Sequence, residues 1–339
     1  MQLTIYTDSS AFDRLAQEWD ELLLRSVKPP FFMRYSFQRT WWQHLGNDDL
    51  ILITIRNEAG QLVGLAPLYG QTDAAGQREL AFVGCVDISD YLDLLIDKDY
   101  VEAVHRMLLN CLGSPDSPTW DKLYLCSLPH DSITRTQLAE VARSLGWQVE
   151  LKQQDVCPVI PLADHWDDYL AGVKKKQRHE IRRKMRKIEN EADTRWVVID
   201  SEEGLAEAMT DFIDLHQKST QDKEGFWSDD LIRFFQAMAV ESARAGWLKL
   251  YFIQVDGVKA AAMLCFDYNN EFLLYNSGYD PELFAHLSPG NVLTSYVIQD
   301  AIRLGRKRFD FLRGDEEYKF RFGAEPEPVY DLLISKRAP

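Results

Sequence analysis

Apolar residues in the first 45 positions recur at helical spacing. Phe12, Leu15, Trp19, Leu22 and Leu23 share one face, which predicts a helix over 9–27 and a second over 34–45. Ser9 or Ser10 suits the N-cap of the first, and Pro29-Pro30 ends it. The period then shortens to two. Leu50–Arg56 and Gln61–Tyr69 read as strands joined by Asn57-Glu58-Ala59-Gly60, a hairpin signal. A third strand is expected at Glu79–Val83, then a loop at Gly84–Asp90 and a short strand at Tyr91–Ile96. A helix at 100–112, a strand at 120–126, a helix at 131–145 and a strand at 147–152 complete this half.

The second half repeats the order. Helices near 201–219 and 228–245 lead into strand Leu248–Val255, the Asp256-Gly257 turn and strand Lys259–Asp267. A strand at Glu271–Ser277, a helix at 290–304, a strand at Lys307–Phe311 and a closing strand near 329–335 follow. Two helices, a long hairpin, a third strand and a helix therefore occur twice. The fold class is mixed α/β (α+β), in two domains at 1–155 and 165–339, each a largely antiparallel sheet flanked by helices. A chain of 339 residues fits two cores of ordinary size.

Composition changes this picture in three places. Five cysteines (Cys85, Cys111, Cys126, Cys157, Cys265) form no CxxC pair and lie far apart, so they read as buried thiols of a reducing compartment. The N-terminus lacks a basic stretch followed by an apolar one, and no apolar run approaches the ~18 residues of a membrane span, so a cytoplasmic location is expected. Residues 174–187 hold nine Lys/Arg against one Glu, a local +8 that leaves −23 on the rest of a chain whose net charge is −15. That balance argues against general nucleic-acid binding.

The element order, with Trp41-Trp42, Ala66-Pro67-Leu68, Ser89-Asp90-Tyr91-Leu92-Asp93, Lys176–Arg183, Leu215-His216-Gln217, Tyr275–Asp280, Ser288-Pro289-Gly290 and Asp310–Lys319, resembles the GNAT acyltransferases. Tandem copies resemble the Fem-type aminoacyltransferases and the bacterial acetyltransferase-like group associated with cellulose and exopolysaccharide synthesis. The resemblance implies an acyl-CoA donor, acetyl-CoA or longer, with no metal, and a donor site in the second half.

Ser288-Pro289-Gly290-Asn291 opens a patterned helix, with Ser and Pro at positions they favour. The N–H groups of Gly290, Asn291 and Val292 can face an anion, and the resemblance places the coenzyme A pyrophosphate there. Only Gly290 remains of the family's Gly-rich loop, and Pro289 removes one donor. In GNAT enzymes a backbone N–H of the strand ending here polarises the thioester carbonyl. Gly278 would let that strand bulge, and Asn276 could add a side-chain donor. In the charged word that follows Phe311, Asp315 and Glu316 are candidate bases, Tyr318 a candidate acid and Lys319 a candidate oxyanion partner. Arg313 is a candidate substrate contact. The ordinary alternatives are a well-capped helix and surface ion pairs.

The basic run makes a helix over 174–190 with Ile181, Met185 and Ile188 as its apolar seam. Stacked cations such as Arg178 and Arg182 call for a partner of opposite sign: the acidic body of the protein or a phosphate-bearing ligand. In the first half the helix at 100–112 has no Gly-rich entry, so no donor site is expected there. Asp90 and Asp93 face an acceptor or pair locally. His216 reads as a packed helix residue. The expected activity is acyl transfer to an amine or hydroxyl of a saccharide or small metabolite by direct attack, with no nucleophile motif for an acyl-enzyme. The alternatives are transfer from aminoacyl-tRNA and a non-catalytic scaffold. The oligomeric state is not legible.

Overall fold

The computed structural model describes residues 1–85, 88–219 and 225–336. The expected loop Gly84–Asp90 thus includes two positions, 86 and 87, outside the described residues. The chain divides into two units: Met1–Asp155 with the C-terminal stretch from Pro328, and Val156–Glu327.

In the first unit, β1 (Gln2–Tyr6) precedes helices α1 (Ser10–Arg25) and α2 (Tyr35–Leu45). Neither Ser9 nor Ser10 caps α1 through its side chain as expected. The Asp8 carboxylate accepts the Ser10 N–H at 3.1 Å instead. The hairpin β2 (Leu50–Arg56) and β3 (Leu62–Thr72) turns at Gly60, whose φ of +80° suits glycine. Strand β4 (Arg78–Phe82) follows, and the expected strand at Tyr91–Ile96 shrinks to β5 (Leu95–Ile96). Helix α3 (Val101–Gly113) then crosses to β6 (Lys122–Pro129), which runs parallel to β4. That pairing brings together residues far apart in sequence. Cys85 and Cys126, read from the sequence as separate thiols, are joined in a disulfide. Past α4 (Ala139–Ser144), β7 (Gln148–Pro161) runs on past residue 155, where the first domain was expected to end.

The second unit opens with α5 (Trp166–Gly172) and the basic helix α6 (Lys175–Glu191), which buries Ile181 and Ile188. Strand β8 (Thr194–Ile199) leads to α7 (Leu205–Ser219) and α8 (Asp229–Arg244). The hydroxyl of Ser228 caps α8 by accepting the Leu231 N–H at 3.2 Å. Strands β9 (Leu248–Val255), β10 (Val258–Tyr268) and β11 (Glu271–Tyr279) form an antiparallel meander. The Asp256-Gly257 turn has both φ values positive, as a tight hairpin requires. Helix α9 (Pro289–Arg303) crosses to β12 (Arg308–Asp310), which is parallel to β11. The short helix α10 (Glu317–Arg321) and β13 (Glu325–Ser335) close the chain.

Both units thus share one scheme: four antiparallel strands, a crossover helix and a parallel fifth strand. The sixth strands are exchanged. From Val329 on, β13 pairs with β6, while Val159–Pro161 of β7 pairs with β12. The closing strand expected to finish the second domain therefore completes the first.

One close approach fixes α7 on β11. A Cβ on Gly278 would lie 2.4 Å from the His216 nitrogen and 2.6 Å from its Cα. These are backbone atoms and cannot rotate away, so only glycine fits. Gly278→Ala should cost at least about 1–3 kcal/mol through overpacking. A denaturation midpoint equal to that of the parent chain would refute this close fit.

Candidate active site

The site is built where β11 and β12 part. Their ladder pairs Glu271 with Arg308, Phe272 with Phe309 and Leu273 with Asp310, and goes no further among the described residues. On its other edge β11 stays with β10 as far as Tyr279, with Tyr275 as an unpaired extra residue between Leu274 and Asn276. The bulge thus falls at Tyr275 and not at Gly278. It reverses which face each later residue occupies. Asn276 turns towards α7, where its Oδ1 lies 3.1 Å from His216 Nε2. Ser277 takes the opposite face.

That assignment also settles His216. The indole of Trp227 can only donate, and it reaches His216 Nδ1 at 3.1 Å. Nε2 therefore carries the proton and donates it to Asn276. Both residues are thus committed to packing α7 on the sheet, and His216 is 2 % exposed.

On the other face lies a cleft of about 1050 Å³, counted with its open mouth. Ser277 and Gly278 form one wall, Ser288, Gly290 and Asn291 another, and Asp280 and Tyr318 face the same space. Ser288 adopts a left-handed conformation, with φ of 55°, and makes no side-chain cap. Its carbonyl accepts the Val292 N–H at 3.2 Å, so Val292, which is fully buried, is not a free donor as expected. Pro289 has no N–H. The open helix end therefore presents two donors, from Gly290 and Asn291. Nothing lies within 4 Å of a Cβ placed on Gly290, so the fold itself does not demand glycine there. The helix is anchored by Asp300, which accepts the Tyr251 hydroxyl at 2.7 Å and pairs with Arg303.

The charged word after Phe311 is a folded clamp. Leu312 has φ of 55° and Gly314 φ of 117°. Lys319, 3 % exposed, donates to the carbonyls of Leu312, Arg313 and Gly314 at 3.3, 2.8 and 3.1 Å. It also pairs with Glu316 at 2.8 Å. Its ammonium holds the loop and does not line the cleft. Asp315 and Glu316 are exposed and Arg313 is partly buried, and none of the three lines the cleft. Tyr318, next to the clamp, does line it and hydrogen-bonds Ser277. Burial, and then the charge of Glu316, raise its phenol well above the usual range.

Of the sequence candidates, Tyr318, Gly278, Ser288, Gly290 and Asn291 meet in this cleft. Arg178 donates to the carbonyls of Leu170 and Ala171, and Arg182 pairs with Asp167 at 3.0 Å. Sequence reasoning missed Ser277 and Asp280. Alternation along β11 gave no signal for Ser277, because only the bulge at Tyr275 brings it to the cleft face. Among the described residues no group of three or more His, Cys, Asp or Glu could hold a metal ion. No described helix is long and apolar enough to cross a membrane.

Asp90 and Asp93 lie in the first unit. Asp90 is buried. Asp93 faces a small cavity with His105, Ser132 and Thr134. Burial pushes the Asp93 carboxyl up to about 6, against hydrogen bonds from Thr134 and Ser132. Burial pushes His105 down to about 4, and both its ring nitrogens lack a partner.

Residues 175–320 match the family model described as an acetyltransferase (GNAT) domain. The comparison with curated proteins gave no match. Among solved structures, that of FemX aligns with 98 % of this chain and 97 % of its own, at a TM-score of 0.66 and 12 % identity. The C-terminal domain of a putative lysylphosphatidylglycerol synthetase from Agrobacterium fabrum aligns with 96 % of this chain and 92 % of its own, at 0.57 and 9 %. A tandem GNAT protein from the clavulanic acid biosynthesis pathway aligns with 100 % and 99 %, at 0.50 and 14 %. Residues 175–320, all in the second unit, thus resemble a GNAT acetyltransferase domain, and the whole chain is similar in fold to FemX and to the tandem GNAT protein.

Two outcomes are expected from this geometry. Lys319→Met leaves buried carbonyls without donors and should destabilise the protein by about 1–3 kcal/mol for each group left unsatisfied. A denaturation curve unchanged from the parent would remove the clamp. The second concerns acid. Between pH 6.5 and 4 the unfolded chain binds a proton at His105 that the folded chain refuses, so acidification destabilises. Between pH 6 and 3.8 the folded chain keeps a proton on Asp93 that the unfolded chain has lost, so acidification stabilises. These slopes oppose each other. Asp93→Asn should therefore lose stability relative to the parent by about 1.4 kcal/mol per pH unit from pH 6 to 4. Parallel pH profiles for the two proteins would contradict it.

Proposed function

We propose that this protein is an acyltransferase that moves an acyl group from acyl-CoA to an amine or hydroxyl of a saccharide or small metabolite. The observation that carries the reading is the cleft at the parting of β11 and β12. It joins an open helix end at Gly290 and Asn291 to a protonated, hydrogen-bonded Tyr318.

The two N–H groups at the start of α9 would hold the pyrophosphate, where the helix dipole favours an anion. The bare Gly290 lets that group approach the backbone. The thioester then lies along the free edge of β11, whose backbone N–H groups polarise its carbonyl. The acceptor attacks that carbon directly. A carbon–nitrogen or carbon–oxygen bond forms, the tetrahedral intermediate collapses and the carbon–sulfur bond breaks. Tyr318 returns a proton to the departing thiolate, and its raised pKa keeps that proton available at neutral pH. Asp280 is the carboxylate in the cleft suited to take the proton of the attacking group, in place of Asp315 and Glu316. Lys319 acts through Tyr318 as a positioning residue.

Likeness to FemX over nearly the whole chain favours a second reading, transfer from aminoacyl-tRNA. The commitment of Arg178 and Arg182 to their own unit weighs against it.

Thermal unfolding with acetyl-CoA, a longer acyl-CoA or tRNA separates the readings. An acyl-CoA at a hundred times its Kd should stabilise the parent by about 2.7 kcal/mol. Gly290→Glu should abolish that shift without lowering the ligand-free Tm, because its side chain meets open space. Tyr318→Phe should keep the shift and lower kcat by about 10²–10⁴. A shift with tRNA alone at physiological salt would favour the second reading, and no shift with any of the three would leave a non-catalytic scaffold.

A further inference from the structure

We propose that a second phosphate site lies beside the cleft, formed by Lys184 and Arg321, and that it holds the 3′-phosphate on the nucleotide end of a coenzyme A donor. This rests on the donor reading above.

A cavity of about 420 Å³, its open space included, is lined by Gln177, Glu180, Lys184, Asn291, Ser295 and Arg321 among others. Asn291 also lines the cleft, so one residue of α9 borders both spaces. A ligand with its pyrophosphate at the helix start therefore has room for a further phosphate on the α6 side.

The charges in this cavity are unbalanced. Three cations of α6 have partners nearby: Arg182 with Asp167, Arg183 with Glu180 at 2.9 Å, and Lys187 with the His286 carbonyl at 2.9 Å. Lys184 is partly buried and has no carboxylate within ion-pair distance among the described residues. Glu180 lies on the same face, but Arg183 occupies both of its oxygens. Burial disfavours the Lys184 ammonium; the charge of Glu180 offsets part of that, and the charges of Arg183 and Arg321 add to it. Arg321 is steadied by Glu317 at 2.7 Å and keeps a side chain that is 48 % exposed. Two cations thus converge on a small hollow that Ile181 and Phe322 also line, and its one carboxylate, Glu180, is engaged by Arg183. A phosphomonoester relieves both, with Gln177 and Ser295 as additional hydrogen-bonding groups.

This assignment separates donor types by chemistry. Coenzyme A carries a 3′-phosphate next to its pyrophosphate, whereas a phosphopantetheine arm on a carrier protein has neither the nucleotide nor that phosphate.

Calorimetric binding of coenzyme A and of 3′-dephospho-coenzyme A tests it. The parent protein should prefer coenzyme A by about tenfold or more. Lys184→Gln should erase the preference by weakening coenzyme A alone, and Lys184→Arg should retain most of it. Equal affinity of the parent for both nucleotides overturns the second phosphate site but leaves the donor reading standing. Equal weakening of both nucleotides by Lys184→Gln overturns the assignment to Lys184. Failure of the parent to bind either nucleotide overturns the donor reading and this site with it.

Discussion

A parallel strand pair cannot be joined by a turn, and the second unit is organised around that constraint. The chain leaves β11 and must travel the length of the sheet before β12 can lie beside it. Helix α9 makes the crossing, so its start is fixed at the end of β11. Because the two strands stay paired for only three residues, the same connection that brings them together leaves a gap beyond Leu273 and Asp310. Backbone donors at a helix end and a strand edge without a partner strand then face one space. The fold creates this polar environment before any particular side chain is chosen.

The side chains decide whether that space can be used. In the first unit the corresponding crossing helix α3 begins after Asp97, Lys98, Asp99 and Tyr100. There the Asp97 carboxylate already accepts the Asp99 N–H at 3.1 Å and pairs with Arg25 at 2.7 Å. An internal carboxylate thus lies in the stretch just before this helix start. In the second unit the matching stretch is Ser288-Pro289-Gly290-Asn291, with no acid among the four. The two halves share one topology and differ in the charge at one helix start. In the loop after β12 a buried lysine holds three carbonyls, beside the tyrosine that hydrogen-bonds Ser277.

What could be read from the sequence follows from how local each cause is. Strands with long apolar runs, such as Leu248–Val255, and the paired positive-φ turn at Asp256-Gly257 depend on neighbours in sequence and were legible. Strands β1 and β8 are partly exposed along their length, so their patterns did not stand out. A strand was expected only at 147–152, yet Gln153, Gln154 and Asp155 continue β7. In the site, Gly290 and Tyr318 were found because turn chemistry and charge clustering mark them. Asn276 was placed on the wrong side of the sheet. Strict alternation from Phe272 and Leu274 would set it facing α9, but the extra residue Tyr275 turns it to α7 and brings Ser277 into the cleft. The role of Lys319 depends on the left-handed conformation at Leu312, which no composition rule foresees.

The exchange of closing strands bears on how the molecule comes into being. A chain emerging from the ribosome ordinarily completes its N-terminal domain first. Here the first unit lacks the strand that pairs with β6 until the residues from Val329 onward have been made. The second unit, whose extra strand comes from residues 159–161, has its sheet within a stretch ending before residue 328. The later-synthesised unit is thus the first whose sheet can be completed, and the edge of β6 waits until residues 329–335 have been made. Cutting the chain near its sequence midpoint would divide the polypeptide without separating two finished sheets.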